Sequence, residues 1–332
     1  MNDRNDRPGD DDYRVVIGEE CFDWRALTDG ERRDALDALA EVLEPLADGR
    51  RVALLGPAYD TECLRSVNLT DALWGKDSEL PHDERRLLQR LLDKCRMVEE
   101  TDLPQPVRVP GGSWREPSWG TAHALARSAA GRATSCLLTW QAPGYEDWPS
   151  GWITAELETA DGHDEVRLHL LRVPEDTPGF WRGVYTHETR EPLTADRFFT
   201  LTEEAFPGLL FADSLSLSHF KGSYTEVLPW LVQLLGALND HFAQSLSSCS
   251  GDQNQVMARF SAMKLDISPE SPNTKKNARA WEQRNVTYRG TSYRCEWHGK
   301  RLWDRDRVHF SLPIPAYGNR ILIGIFTDHL DT

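Results

Sequence analysis

The residues of this chain best suited to chemistry lie near its C-terminal end, in two β-type runs at 291–297 and 307–312 where arginines and histidines alternate. In an extended strand alternate residues share a face. Arg294, Glu296 and His298 then point one way in the first run, and Arg307, His309 and Ser311 share a face in the second. If the two runs pair antiparallel, one surface gathers Arg294, Glu296, His298, Arg307 and His309, with Lys300, Arg301 and Arg305 in the connecting loop. Such a surface suits cleavage of an RNA phosphodiester without a metal. A glutamate or histidine takes the proton of the 2′-hydroxyl, a second histidine protonates the leaving oxygen, and arginine steadies the charge on phosphorus. The catalytic candidates are therefore Glu296, His298, Arg307 and His309, and the nucleic-acid-binding candidates are Arg294, Lys300, Arg301 and Arg305. A sheet face laced with ordinary cross-strand ion pairs, such as Glu296 with Arg307, accounts for the same pattern, and whether the face cuts or binds stays open.

Two sharper motifs do not fit. Glu296 stands four residues before Lys300, whereas metal-dependent restriction-type nucleases separate these residue types by one. A zinc set of Cys295, His298, His309 and His329 would need Cys295 and His298 on one side, although strand alternation puts them on opposite faces. No metal and no cofactor is assigned, and whether these four residues bind a metal stays open.

The elements that must position this surface are strands. A third run, 320–326, is apolar on both faces, as a central buried strand should be. Further upstream, Thr28 and Glu31 form a capping-box pattern ahead of a helix striped by Leu36, Leu39, Leu43 and Leu46 and ended by Pro45 and Gly49. Ser223 and Glu226 repeat that pattern before a second apolar-faced helix. The spacing of Leu87, Leu88, Leu91, Leu92, Cys95 and Val98 predicts an amphipathic helix over 84–100. Residues 152–158 and 165–173 read as a hairpin about Asp161-Gly162, with His169 on its wet face. The expected architecture is α+β: a disordered start at 1–12, a mixed helical and antiparallel β body at 13–246, a polar linker region at 247–280, and a small basic β-rich domain at 281–332.

With 39% hydrophobic and 27% charged residues, the composition is that of a globular chain and excludes a disordered one. Its six cysteines are scattered without a C-x-x-C pair, which together with the lack of a signal peptide predicts reduced thiols in a cytoplasmic protein. No apolar run approaches the roughly 18–20 residues of a membrane span. Residues 257–332 carry 13 Lys+Arg against 8 Asp+Glu, a net of +5, while the rest of the chain holds 25 against 45, a net of −20. A basic tail on an acidic body points to nucleic acid as a partner, or to docking of the tail on the body.

The block Cys295-Glu296-Trp297-His298, Lys300, Arg307-Val308-His309-Phe310, Ile321-Leu322-Ile323-Gly324 and His329-Leu330 resembles the C-terminal block of bacterial proteins found among defence and mobile-element genes. The order of strand, basic strand and apolar strand is also similar to the sheet of RelE-type messenger-RNA-cleaving toxins. The resemblance covers about 45 of the 332 residues. It implies a role in defence against phage or foreign DNA; joined to the residue pattern, the expectation is a defence component whose C-terminal domain binds nucleic acid or also cleaves it, RNA in preference, with protein subunits encoded nearby as partners. A non-catalytic sensor or scaffold subunit of a multi-protein defence complex is the alternative it leaves open.

Overall fold

The computed structural model describes residues 13–47, 51–76, 78–99, 105–159, 162–328 and 330. The expected disordered start at 1–12, Gly49 and His329 lie outside these residues, as does Asp161 of the expected turn. The class is α+β, and the chain divides into two compact units, Met1–Pro192 and Leu193–Thr332.

The first unit runs β1 (Val15–Ile17), α1 (Asp29–Ala47), β2 (Val52–Leu55), a small hairpin of β3 (Glu62–Leu64) and β4 (Val67–Asn68), α2 (Leu69–Trp74), α3 (His82–Leu92) and β5 (Arg96–Val98). It continues through β6 (Val107–Arg108), α4 (Trp119–Ala129), β7 (Ser135–Leu137), β8 (Gly151–Thr159), β9 (Gly162–Leu171) and α5 (Thr177–His187). Its seven-stranded sheet has the order β5-β2-β1-β7-β9-β8-β6. The first five of these strands are parallel, and antiparallel pairing enters only at β9–β8 and β8–β6. Buried on both faces, β1, β2 and β7 are short and apolar or small, as parallel strands flanked by helices must be. The Thr28 cap forms as expected: its backbone N–H donates to Glu31 Oε2 at 2.8 Å.

Two expectations fail in this unit. The helix predicted over 84–100 stops at Leu92, and Arg96–Val98 extends to pair with β2, because a short apolar run fits both periods until a neighbouring strand decides. His169 is not on a wet face but fully buried. It sits on β9 between β7 and β8, its Nδ1 is 2.9 Å from Ser135 Oγ, and Trp152 and Phe180 pack on its ring. Residue alternation placed it outside because alternation does not reveal that α5 covers that face.

The second unit holds α6 (Thr202–Ala205), β10 (Leu209–Phe211), α7 (Tyr224–Ala237), a π turn (Leu238–Phe242), α8 (Ala243–Ser248), α9 (Gln253–Ala262), β11 (Asp266–Pro269), α10 (Pro272–Lys276) and α11 (Ala278–Glu282). These are followed by β12 (Asn285–Tyr288), β13 (Thr291–Arg294), β14 (Trp297–Lys300), β15 (Arg307–Phe310) and β16 (Ile321–Thr327). Five strands form one sheet, β10-β16-β15-β14-β11, while β12 and β13 pair apart as a hairpin. The apolar run expected as a central strand is β16, flanked by β10 in parallel and β15 antiparallel. The division expected at 246 falls instead between Pro192 and Leu193. Residues 247–280 do not form a linker, for they contain α9, β11 and α10 and supply an edge strand of the sheet.

One face of this sheet packs on α7 and the π turn. Phe242 meets Trp297 and Phe310 edge-on, with ring centroids 5.2 and 5.0 Å away. Gly299 lets the helix approach: a Cβ there would lie 2.5 Å from Leu234 Cδ2. The unit boundary also rebalances charge. Residues 193–332 hold 15 Lys+Arg and 15 Asp+Glu, so the basic tail is neutralised within its own unit.

Candidate functional site: a buried carboxylate and histidine cluster

The functional geometry is built on the β14–β15 pair. Its antiparallel register sets His298 opposite His309 and Lys300 opposite Arg307, so all four share a face. The two imidazole centroids are 5.1 Å apart. On the other side of β14 lies β11, whose Ser268 is the register partner of His298 and offers its Oγ to His298 Nε2 at 3.3 Å. One residue past β11 is Glu270, whose backbone N–H donates to the Glu296 carbonyl at 2.8 Å and fixes the carboxylate beside the histidines. Glu270 Oε1 lies 3.4 Å from His298 Nδ1 and 3.3 Å from His309 Nδ1, and it accepts from Arg284 Nε at 3.0 Å. Arg284 is itself fully buried, with a second donation to the Ala280 carbonyl at 2.7 Å.

Burial alone would raise the Glu270 carboxyl, but the two imidazoles and the Arg284 guanidinium outweigh it and hold the group well below the usual carboxylate range. Burial pushes His309 down to about 4 and lowers His298 as well, with Glu270 opposing both shifts. Burial likewise lowers Arg307. At neutral pH the cluster therefore holds an ionised carboxylate and two neutral imidazoles. That is the protonation state of metal ligands, and it leaves little imidazolium to protonate a leaving oxygen.

The structure brings His298, His309 and Arg307 together, as the strand pattern requires, but on a covered face. His309 is fully buried, and His298 and Arg307 are 6% and 8% exposed. The segment carrying Glu270 and Arg284 lies over them, which strand alternation could not disclose. Glu296 does not join them. The expected run 291–297 breaks after Arg294, and Glu296 pairs with Lys275 at 3.3 Å. Arg294 belongs to the separate hairpin, where its guanidinium stacks 4.4 Å from the Trp281 ring centroid. Arg301 pairs with the buried Asp306 at 2.9 Å, while Lys300 and Arg305 are partly exposed beside the same loop. Cys295 is buried in the apolar cluster with Val286 and Leu322, its thiol pushed up to about 12 by burial.

Sequence reasoning missed Glu270 and Arg284. Glu270 stands in a polar Ser-Pro-Glu-Ser-Pro stretch that resembles a linker, and no spacing rule connects Arg284 to strands that follow it. It also passed over Trp303, which is 85% exposed at the tip of the β14–β15 loop, between Arg301 and Arg305. In the first unit a second set of groups lies where the parallel strand order reverses, between β1 and β7, the place where open parallel sheets bind ligands. Glu19 and Glu20 follow β1 there, both carboxyls raised by burial. Glu19 Oε2 accepts from Gly120 N at 2.8 Å, so the chain's own carboxylate fills the N-terminus of α4.

No family model, curated protein or solved structure matches the chain.

Proposed function

We propose that this chain is a nucleic-acid-binding component of a defence system, engaging unpaired nucleotides through the β14–β15 loop. The exposure of Trp303 carries the reading. A nearly free indole on a hairpin tip offers a stacking platform of the kind single-strand binders use, where each stacked base contributes about 1–3 kcal/mol. Lys300 and Arg305 flank it with positive charge for the phosphates, while Arg301 is engaged by Asp306 and braces the loop. Because the unit is neutral as a whole, attraction comes from this local patch and not from a global field. The defence role is supported only by the likeness of the C-terminal block, most of which lies on β14, β15 and β16.

Burial of His298, His309 and Arg307 favours binding over cleavage at those residues, since a phosphodiester cannot reach them without displacing Glu270 and Arg284. The acidic first unit, 23 Lys+Arg against 38 Asp+Glu, would then face protein partners.

Fluorescence anisotropy of labelled single-stranded RNA and DNA, titrated with the full chain at several salt concentrations, tests this. Binding should weaken with salt in proportion to the two or so phosphate contacts. Trp303→Ala should raise Kd about tenfold or more. A Kd indifferent to both salt and Trp303→Ala would discard the assignment.

A further inference from the structure

We propose that Glu270, His298 and His309 bind one divalent ion of the zinc class, through the two Nδ1 atoms and one carboxylate oxygen. Their ligand atoms all lie within 4.8 Å of one another. The separations are more telling than the limit. Ligands about 2.0–2.1 Å from a tetrahedral zinc stand roughly 3.3–3.4 Å apart. Glu270 Oε1 is 3.4 Å from His298 Nδ1 and 3.3 Å from His309 Nδ1. Both Nδ1 atoms stand close enough to the carboxylate to lower it, yet neither makes a well-aligned hydrogen bond across that gap, so both rings aim their nitrogens beside the oxygen and not at it. That is how two ligands and a carboxylate sharing a common ion would be oriented.

Burial adds weight to those distances. His309 is fully buried and neither of its ring nitrogens has a hydrogen-bond partner. A buried polar atom left so is costly, and native proteins seldom retain one without a use. The surroundings hold two of the three ligands in place. His298 turns its other nitrogen to Ser268 Oγ, and Arg284 Nε holds the Glu270 carboxylate. Two imidazoles with one carboxylate suit zinc and its neighbours, whereas calcium and magnesium call for oxygen throughout.

Three protein ligands leave a fourth position for water or another donor. A cavity of about 570 Å³ is lined by Ser268, Glu270, Ser271, Lys275 and Lys276 among others, and its lysines favour an anionic occupant. Arg284 and Arg307 add positive charge near the site, which weakens binding of the bare ion and strengthens binding of an ion that carries an anion with it. Cys295 takes no part, because its sulfur faces Val286 and Gly324.

Metal-stripped full-length protein titrated with zinc by calorimetry should take up one equivalent. His309→Gln and Glu270→Gln should each weaken that uptake at least tenfold. Cobalt(II) added to the wild-type chain should give the intense visible bands of a tetrahedral site with no thiolate charge-transfer band. The cobalt spectrum needs no variant, so it decides the matter even if a substituted chain fails to fold. Absence of zinc and cobalt binding by the wild type overturns the proposal. So does a thiolate band, or undiminished uptake by a folded His309→Gln chain. None of these outcomes depends on nucleic-acid binding by the Trp303 loop, so the two readings fail separately.

Discussion

Two buried histidines of this molecule differ in what surrounds them, and the difference is measurable. His169 has a hydroxyl and two aromatic rings for company, and burial holds it down to about 3. His309 has a carboxylate 3.3 Å away and a second imidazole beside it. For His169 the linkage is simple. Between about 6.5, where it titrates in the unfolded chain, and about 3, the unfolded state binds a proton that the folded state refuses. Stability is therefore complete above pH 6.5 and falls as pH drops, by at most about 1.4 kcal/mol per pH unit. Glu19 and Glu20 act in the opposite sense, since their raised carboxyls bind protons longer in the folded state and cost stability as pH rises above 4.5. Denaturation of wild type and His169→Gln at pH 7 and pH 5 separates the two: the gap between the proteins should narrow at the lower pH. A gap that stays constant would mean that His169 is protonated inside the sheet. Residue identity made His298, Arg307 and His309 legible as a group, because their face follows from alternation alone. Their burial was not legible, nor was Glu270, since each depends on a covering segment that no local pattern announces.

At the scale of elements, strands were recognised where apolar alternation was long and helices where a cap fixed the start. The capping boxes at Thr28 and Ser223 and the strands β15 and β16 all stand close to where the sequence puts them. Errors arose where a short segment suited two periods. Arg96–Val98 continues the apolar spacing of α3 yet becomes a strand, and 291–297 divides between two sheets. The close approach of α7 to β14 had no sequence signal beyond one glycine. Gly299→Ala should cost about 1–3 kcal/mol, because the added methyl meets Leu234 inside a packed core and the strand cannot retreat from β15 without losing its ladder. Chemical denaturation checks this, and a loss below half a kcal/mol would show that α7 can shift. The ion pair of Arg301 with Asp306 works at the same scale. Asp306 is fully buried and also accepts from the backbone N–H groups of Lys221 and Gly222, at 2.8 and 3.1 Å. The loop that exposes Trp303 is thereby tied at its base.

For the whole molecule, the division at Pro192 changes what the charge pattern means. The sequence contrast of +5 against −20 suggested a basic domain on an acidic body. The second unit instead encloses its own acidic helices and is neutral, and the surplus of negative charge belongs to the first unit. Chain position conceals this, because the sheet of the second unit draws its edge strands from 209–211 and 266–269 as well as from the tail. Among the described residues no helix is long and apolar enough to cross a membrane. Under the proposed function, the attraction for nucleic acid is local: the Trp303 indole with Lys300 and Arg305 on either side of it in the chain. The most direct measurement is photocrosslinking of the full chain to a single-stranded oligonucleotide carrying 5-iodouracil, followed by peptide mapping. The crosslink should fall within 301–306, centred on Trp303, and should vanish in Trp303→Ala. A crosslink confined to another segment, or none at concentrations where the oligonucleotide is bound, would contradict it.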